Sequence, residues 1–256
     1  MMTTLPWILC SILLVSYLYA SVGHGGASGY LAVMALFSVA PNEMRPTALV
    51  LNCVVSLLAF IQYYRSGHFL WSLFWPFSLV SVPAAFIGGM IHLDEQWYKK
   101  ILALILLFAV YRILMNHKTQ ISSDPFVSPI NANSRDGKIL LTSLFFGVGI
   151  GLLSGMIGIG GGILLSPLIL MLGWADIKTA SGVSALFIFV NSLAGLAGYA
   201  TKGWECPTQI WIYLPTAMLG GALGAYFGAF RWDHGVLKKM LAIVLCIACF
   251  KLWWSL

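Results

Sequence analysis

Two long stretches without charged residues constrain the fold of this chain more than any other feature. Residues 1–42 contain no Asp, Glu, Lys or Arg, and residues 139–175 contain none of these and no His. As one α-helix the second stretch would measure roughly 55 Å, nearly twice the roughly 30 Å hydrocarbon core of a bilayer. Each stretch must therefore turn back within the membrane.

The composition indicates that the folded chain is surrounded by lipid. Charged residues make up 9% of the sequence and hydrophobic residues 60%, whereas a soluble domain carries about 25% charged residues. The formal net charge of +6 comes from Lys and Arg residues that lie mostly in short predicted connections. There they indicate membrane topology rather than nucleic-acid binding. We therefore predict an all-α, multi-pass protein of the inner (plasma) membrane of the cell.

The chain divides into two related halves and a polar loop. Residues 1–115 form the first transmembrane repeat, residues 116–137 form the connecting loop, and residues 138–256 form the second repeat. The loop contains two prolines and several Asn and Ser, and the Lys pairs at 99–100 and 238–239 begin matching apolar segments. Membrane transporters are often built from internal repeats of this kind.

The hairpins predict how the two halves are oriented. Each half is predicted to contain one helical hairpin bent at glycines, followed by three more membrane helices. These helices are predicted at residues 47–64, 70–91 and 98–115 in the first half and at 179–201, 207–230 and 236–254 in the second. Because a hairpin begins and ends on the same side, three further crossings place the connecting loop opposite the N-terminus. The second half then starts from that side, so the halves have inverted orientations. The excess of Lys and Arg on the loop side favours a cytoplasmic loop with both termini outside.

The predicted bends are rich in glycine, which tolerates the positive φ of a tight turn. We name residues 23–26, Gly-His-Gly-Gly, the first elbow and residues 158–162, Gly-Ile-Gly-Gly-Gly, the second elbow. Short helices are predicted to follow at residues 28–40 and 163–173. The first N–H groups of a helix have no intrahelical partner and attract anions, so two such helix starts would form an anion site near the midplane. The alternative is that the glycines only permit close helix packing.

His24 is the one titratable side chain that this pattern places deep in the membrane. An ionisable residue at such depth suggests function, and a protonated imidazole could hold an anion or pass on a proton. A neutral histidine bonded to a nearby carbonyl is the equally weighted alternative. The second elbow has Ile159 at the corresponding position, so the two halves do not share this feature.

Neutral polar residues complete the predicted site. All eight Asp and Glu residues fall in predicted connections, whereas carriers of cations and protons commonly use buried carboxylates. Asn52 and Ser56 share a helix face, as do Ser184 and Asn191, although hydrogen bonding between helices could also explain each of them. The predicted substrate-binding residues are His24, Gly25, Gly26, Ser28, Asn52, Ser56, Gly158, Gly160, Gly161, Gly162, Ser181, Ser184 and Asn191.

No nucleotide-binding loop, metal-ligand cluster or nucleophile elbow is recognisable in the sequence. The run from Ser154 to Gly162 lacks the GK[ST] ending of a phosphate-binding loop. We therefore predict no catalytic residue, metal, cofactor or nucleic-acid partner. The predicted partners are a small anion and membrane lipid; a proton as coupling ion and assembly into a homo-oligomer stay open.

Three glycine- and serine-rich motifs, within the two-half plan, resemble the TauE/SafE family of sulfite and organosulfonate exporters, also called the toluene sulfonate uptake permease family. They are Gly155-Met-Ile-Gly-Ile-Gly-Gly-Gly162 with Pro167, Ala180-Ser-Gly-Val-Ser184, and the weaker copy Val22-Gly-His-Gly-Gly26. The likeness covers essentially the whole length. It implies a secondary carrier for sulfite, a sulfonate or a sulfoacetate-like anion. The alternatives are a carboxylate carrier, an anion channel, and, more remotely, a membrane-embedded enzyme or an assembly subunit.

Overall fold

The computed structural model describes residues 5–37, 39, 41–91, 136–201, 203, 208–233, 235, 236 and 239. The predicted helices at 98–115 and 236–254 and the predicted loop at 116–137 fall almost entirely outside these residues. Within the described parts the fold is all-α, as predicted, and contains no strand. Its helices are α1 (Leu5–Ala20), α2 (Ala27–Leu36), α3 (Pro41–Arg65), α4 (Trp71–Met90), α5 (Asp136–Ile157), α6 (Gly162–Met171), α7 (Ile177–Ala200) and α8 (Ile210–Tyr226), which a π-helical turn (Phe227–Arg231) extends.

Five of the described helices are long and apolar enough to cross a membrane, which agrees with the prediction of a multi-pass protein. They are α3, α4, α5, α7 and α8 with its π-helical turn. The outer surfaces of the helices carry large exposed apolar side chains, a pattern that suits lipid and not water. Examples are Trp7 on α1, Leu79 on α4, Phe145 on α5 and Trp211 on α8.

The first charge-free stretch doubles back at the first elbow, as predicted. Side chains meet across the bend, with Ser16 Oγ 2.9 Å from Tyr30 Oη and Tyr19 Oη 3.0 Å from Ser28 Oγ. The positive φ angles of Gly23 (74°) and Gly26 (93°) make the turn. The ten residues of α2 span about 15 Å, so this helix reaches only halfway across the hydrocarbon core.

The second charge-free stretch doubles back at the second elbow. Gly158, Gly160 and Gly161 have φ angles of 81°, 72° and 76° between the end of α5 and the start of α6. Helix α6 also has ten residues, and it returns along α7, where Ser166 donates to Ser184 across 2.7 Å. The prediction that glycine elbows bend both stretches is therefore confirmed.

Two predicted helix starts are corrected by the structure. Helix α3 begins at Pro41 and not near residue 47, so Glu43 and Arg45 lie in its first turns and not in a connection. Proline is favoured at the first helical position because its missing N–H would have no partner there. Lys178 likewise lies in the first turn of α7, which Asp176 caps by accepting from the backbone N–H groups of Lys178 and Thr179.

Helices of the first half pack in pairs against helices of the second half. Helix α1 lies along α8, α4 lies along α5, and α3 lies along α7. Glycines make the first two contacts close, because a Cβ atom at any of them would collide with the facing helix. These glycines are Gly147, Gly151 and Gly155 against α4, and Gly220, Gly224 and Gly228 against α1 and the residue that follows it.

The contacts also give the relative directions of the helices. Helices α3 and α7 are antiparallel, since Asn52 bonds to Ser192 while Tyr63, further along α3, packs against Gly182. Helix α4 is parallel to α5 and α7, whereas α8 is parallel to α1 and α3. Corresponding helices of the two halves are thus oppositely directed. The inverted relation of the halves stays a prediction, and these directions support it.

Candidate functional site

The two elbows meet where α3 and α7 cross the middle of the fold. Asn52 lies eleven residues after the start of α3 and thirteen before its end. Ile188 lies eleven residues after the start of α7 and twelve before its end. A Cβ atom at Gly160 would lie 2.5 Å from Asn52 Nδ2, and one at Gly162 would collide with Ile188. If α3 and α7 span the bilayer, the elbows lie near its midplane.

Asn52 connects the two elbows through its side-chain amide. Its Oδ1 accepts a hydrogen bond from the backbone N–H of Ala27 across 3.2 Å, and its Nδ2 donates to Ser192 Oγ across 2.7 Å. The side chain is fully buried. A Cβ atom at Gly25 would overlap Asn52 Oδ1, so the amide lies between a glycine of the first elbow and Gly160 of the second.

His24 makes the second direct link between the elbows. Its Nε2 lies 3.1 Å from the carbonyl oxygen of Gly162, and 1% of the residue is exposed. Because a carbonyl can only accept, Nε2 carries the hydrogen in this bond. Nδ1 is buried and has no hydrogen-bond partner in the described chain. Nδ1 is thus the atom at which the ring would take up a proton.

The two short helices begin differently. The first N–H of α2 already donates to Asn52. Helix α6 begins after Gly161, a residue in the left-handed conformation that has no side chain with which to cap the helix. The first N–H groups of a helix attract negative charge when nothing else uses them. The start of α6 therefore offers more to an anion than the start of α2.

The remaining predicted side chains bond within their own helix or to a neighbouring one, which is the alternative role that the sequence left open. Each of them is buried. Ser28 bonds to Tyr19, Ser56 to the Cys53 carbonyl, Ser181 to the Ile177 carbonyl, Ser184 to Ser166, and Asn191 to the Phe187 carbonyl. The structure thus brings together His24, Asn52 and the elbow glycines, while Ser28, Ser56, Ser181, Ser184 and Asn191 make helix contacts.

Sequence reasoning missed two residues at the elbows. Ser192 binds the Asn52 amide, although its neighbour Asn191 was selected. Arg45 was read only as a topology signal, yet its Nη2 donates to the Gly155 carbonyl across 2.5 Å. A Cβ atom at Gly158 would lie 3.2 Å from Arg45 Cγ. If the predicted helix had begun at residue 41, the spacing of Arg45, Leu49 and Asn52 would have placed Arg45 on the same helix face as Asn52.

All predicted site residues are buried. The arrangement therefore represents a closed state, and a solute would reach the elbows only after surrounding helices move. Groups that face the elbows are amide, hydroxyl, imidazole and backbone N–H donors, which suit an anion. The site offers hydrogen bonds and one titratable ring.

Comparison with known proteins places these features in a family. Residues 8–252 match the family described as Sulfite exporter TauE/SafE. The probable membrane transporter protein y4hK of Sinorhizobium fredii is 32% identical over 243 residues, which cover 94% of each chain. A probable membrane transporter protein of Haemophilus influenzae is 23% identical over 272 residues, covering 96% of this chain and 97% of its own. No solved structure matches the chain.

Proposed function

We propose that this chain, which belongs to the sulfite exporter TauE/SafE family of membrane transporters, is a secondary carrier of a small anion. The anion would bind near the midplane, between the two elbows and Asn52. The observation that carries the proposal is the link that Asn52 makes between Ala27 at one elbow and Ser192 beside the other. The substrate would leave chemically unchanged, since transport requires only binding and movement.

The donors around the elbows support an anion as the substrate. The Asn52 amide, the Ser192 hydroxyl and the uncapped start of α6 can all donate hydrogen bonds to oxygen atoms. The Asp and Glu residues of the described chain lie at or near helix ends: Glu43, Asp136, Asp176 and Asp233. None of them belongs to an elbow or to the middle of α3 or α7, where the anion would bind.

A sulfur oxyanion fits this donor set best. A sulfite or sulfonate presents three oxygen atoms in a pyramid, which can accept from an amide, a hydroxyl and a helix start that converge from different directions. A carboxylate has enough lone pairs to accept from three donors, but its acceptor sites all lie in one plane, so it matches donors that converge from different directions less well. The family description, which names sulfite, points to the same class.

Movement of one half against the other would give the anion access to alternate sides. The elbow of each half packs against the third helix of the other half: Gly23 against Ser181 on α7, and Gly158 against Arg45 on α3. In transporters with inverted repeats, rocking about such a shared site opens one side while closing the other. An anion at the elbows would replace the closed-state bonds of Asn52 and His24 and so lower the cost of opening.

A binding screen on purified protein tests the proposal. A ligand that binds only the folded state at 100 times its Kd stabilises the protein by about 2.7 kcal/mol. We expect sulfite, methanesulfonate or sulfoacetate to raise the melting temperature more than acetate or chloride at equal ionic strength. If none of these anions stabilises the protein, the anion-carrier proposal is wrong.

Flux measurements distinguish a carrier from a channel. In proteoliposomes we expect uptake of the stabilising anion to saturate, and unlabelled anion on the opposite side to accelerate exchange. Flux that rises linearly with concentration and shows no exchange would instead indicate a channel.

A further inference from the structure

One face of α3 packs along the second elbow, from the end of α3 near the membrane surface to the proposed anion site at Asn52. Arg45, Leu49 and Asn52 are spaced four and three residues apart, so they share this face. Cβ atoms at Gly158 and Gly160 would contact Arg45 and Leu49 and, further in, Asn52. At 1.5 Å per residue, Arg45 lies about 10 Å nearer the membrane surface than Asn52.

The Arg45 side chain bridges three helices at this end of the fold. From α3 it donates to the carbonyl of Gly155 near the end of α5. Its guanidinium carbon lies 5.3 Å from the ring centroid of Tyr199, near the end of α7, a distance typical of cation–π contacts. Arg45 therefore covers the place where the start of α3 meets the ends of α5 and α7, directly outside the second elbow.

The chemistry of these contacts allows an anion to compete for Arg45. Carbonyl groups near a helix end carry a partial negative charge, and the face of an aromatic ring is weakly negative. A sulfonate or sulfite carries a full charge and can accept two parallel N–H bonds from a guanidinium, which makes a stronger pair. Arginine stays charged throughout the physiological pH range, so its attraction for an anion does not depend on protonation.

We propose that Arg45 selects for negative charge at the mouth of the second elbow, which is the place where the start of α3 meets the ends of α5 and α7. Arg45 attracts the anion there and closes the path behind it by its contacts with Gly155 and Tyr199. The inference rests on the proposed anion site at the elbows and adds the residue that controls entry from one side.

The opposite end of the fold supplies a matched control. Lys178, in the first turn of α7, donates to the Ala229 carbonyl across 3.4 Å. It occupies the helix of the second half that corresponds to α3, at the end of the fold near the first elbow, where Gly23 meets Ser181. Removing Lys178 changes the net charge by the same amount as removing Arg45 but leaves the mouth of the second elbow unchanged.

Thiol labelling tests the inference without knowledge of the substrate. In a background with the native cysteines replaced, Leu49→Cys places a thiol one helical turn inside Arg45. The rates of its modification by an anionic methanethiosulfonate, which carries a sulfonate, and by a cationic one of similar size are measured in detergent. Arg45→Gln, Arg45→Lys and Lys178→Gln are then added singly, and size-exclusion chromatography checks that each variant is folded.

Charge selection by Arg45 predicts a specific pattern of rate ratios. Arg45→Gln should lower the anionic-to-cationic rate ratio roughly tenfold, the lower end of what charged clefts achieve for local ion concentration. Arg45→Lys should keep most of the ratio, and Lys178→Gln should leave it unchanged. A purely structural Arg45 would change both rates together.

Three results would overturn the inference. These are an unchanged ratio in Arg45→Gln, an equal fall in Lys178→Gln, or a Leu49→Cys thiol that neither reagent modifies. Binding of small anions by the protein with native Arg45 is measured separately, so failure of the mouth inference can be told from failure of the anion site itself.

Discussion

Both elbows turn at glycines with positive φ, but they place different groups at the centre of the molecule. The first elbow carries His24, and its helix start is occupied by the Asn52 side chain. The second elbow has Ile159 in place of the histidine, and the start of its helix has no side-chain cap. Both turns are thus made by glycines, but different groups accompany them. The first elbow supplies a titratable ring, and the second is followed by a helix whose N-cap residue, Gly161, has no side chain with which to cap it.

The same division appears at the outer ends of the elbows. Gly158 of the second elbow faces Arg45, whereas Gly23 of the first elbow faces the backbone of Ser181. Each end of the fold carries a permanent cation, but Arg45 lies against Gly158, whereas Lys178 at the opposite end donates to the Ala229 carbonyl. If the elbows bind an anion, the two sides therefore differ in how a cation is placed relative to the elbow.

The largest expected effect comes from adding a side chain at the start of α6. Gly161→Val should abolish transport, because its Cβ would lie 2.8 Å from Ile150 and 3.0 Å from Phe187 and would obstruct the N–H groups. Gly26→Val has a similar positive φ and the same 2.8 Å clash, with Tyr30. It should leave measurable transport, because the start of α2 is already occupied. Uptake into vesicles, normalised to membrane content, measures both.

Gly173→Val is the control for this comparison. Gly173 has a φ of 65° and open space around its Cβ position, so valine there adds backbone strain without obstructing an elbow. Wild-type uptake by Gly161→Val, or equal loss in Gly26→Val, would remove the functional distinction between the elbows.

A smaller effect is expected from a charge at the residue that the elbows share. Asn52→Asp preserves the shape of the side chain and can still accept from Ala27 N–H and from Ser192. It places a negative charge between the elbows, so anion affinity should fall at least tenfold, about 1.4 kcal/mol, while the protein stays folded. Ser192→Ala removes one partner of the amide and should lower affinity less, by about 1 kcal/mol. Titration of a stabilising anion by thermal shift measures both, and stronger loss in Ser192→Ala would contradict this role of Asn52.

The smallest expected effect is on pH dependence and concerns His24. A bound anion favours the protonated ring, so anion binding should take up a proton and become tighter as the pH falls. His24→Gln can still donate to the Gly162 carbonyl but cannot titrate, so it should flatten this dependence more than it lowers affinity. The measurement is methanesulfonate affinity between about pH 5.5 and 8, which brackets the usual histidine pKa of about 6.5. Methanesulfonate keeps one charge over that range. An unchanged pH profile in the variant would make His24 a structural histidine.

Several features of the fold could be predicted from the sequence because they follow from local chemistry. Charge-free stretches too long for one crossing had to bend, and glycine was the residue able to bend them. The structure has both bends at the predicted glycines. The start of α3 was misplaced because the sequence from Pro41 to Pro46 is polar and contains two prolines. That pattern suggests a loop, although Pro41 occupies the first helical position, where proline is favoured, and Pro46 lies inside the helix.

Pairs of residues distant in the sequence could not be predicted in the same way. Asn52 and Ser192 are 140 positions apart, and His24 and Gly162 are 138 apart. Polar residues on the same face can line a pathway or bond to a neighbouring carbonyl, and spacing does not distinguish these roles. Ser56 and Asn191 had the same kind of spacing as Asn52, yet each bonds to a carbonyl of its own helix.

The sequence by itself determined that this protein is embedded in a membrane, that its chain bends twice at glycines, and that no carboxylate is available in the charge-free stretches. These are properties of composition and local conformation, fixed within one helix or turn. Only the tertiary structure decided that Asn52 lies between the elbows, that the start of α6 is uncapped, and that Arg45 covers one mouth. Those outcomes depend on how two halves of the chain pack, because a hydrogen bond between distant residues forms only after the helices that carry them have been placed side by side.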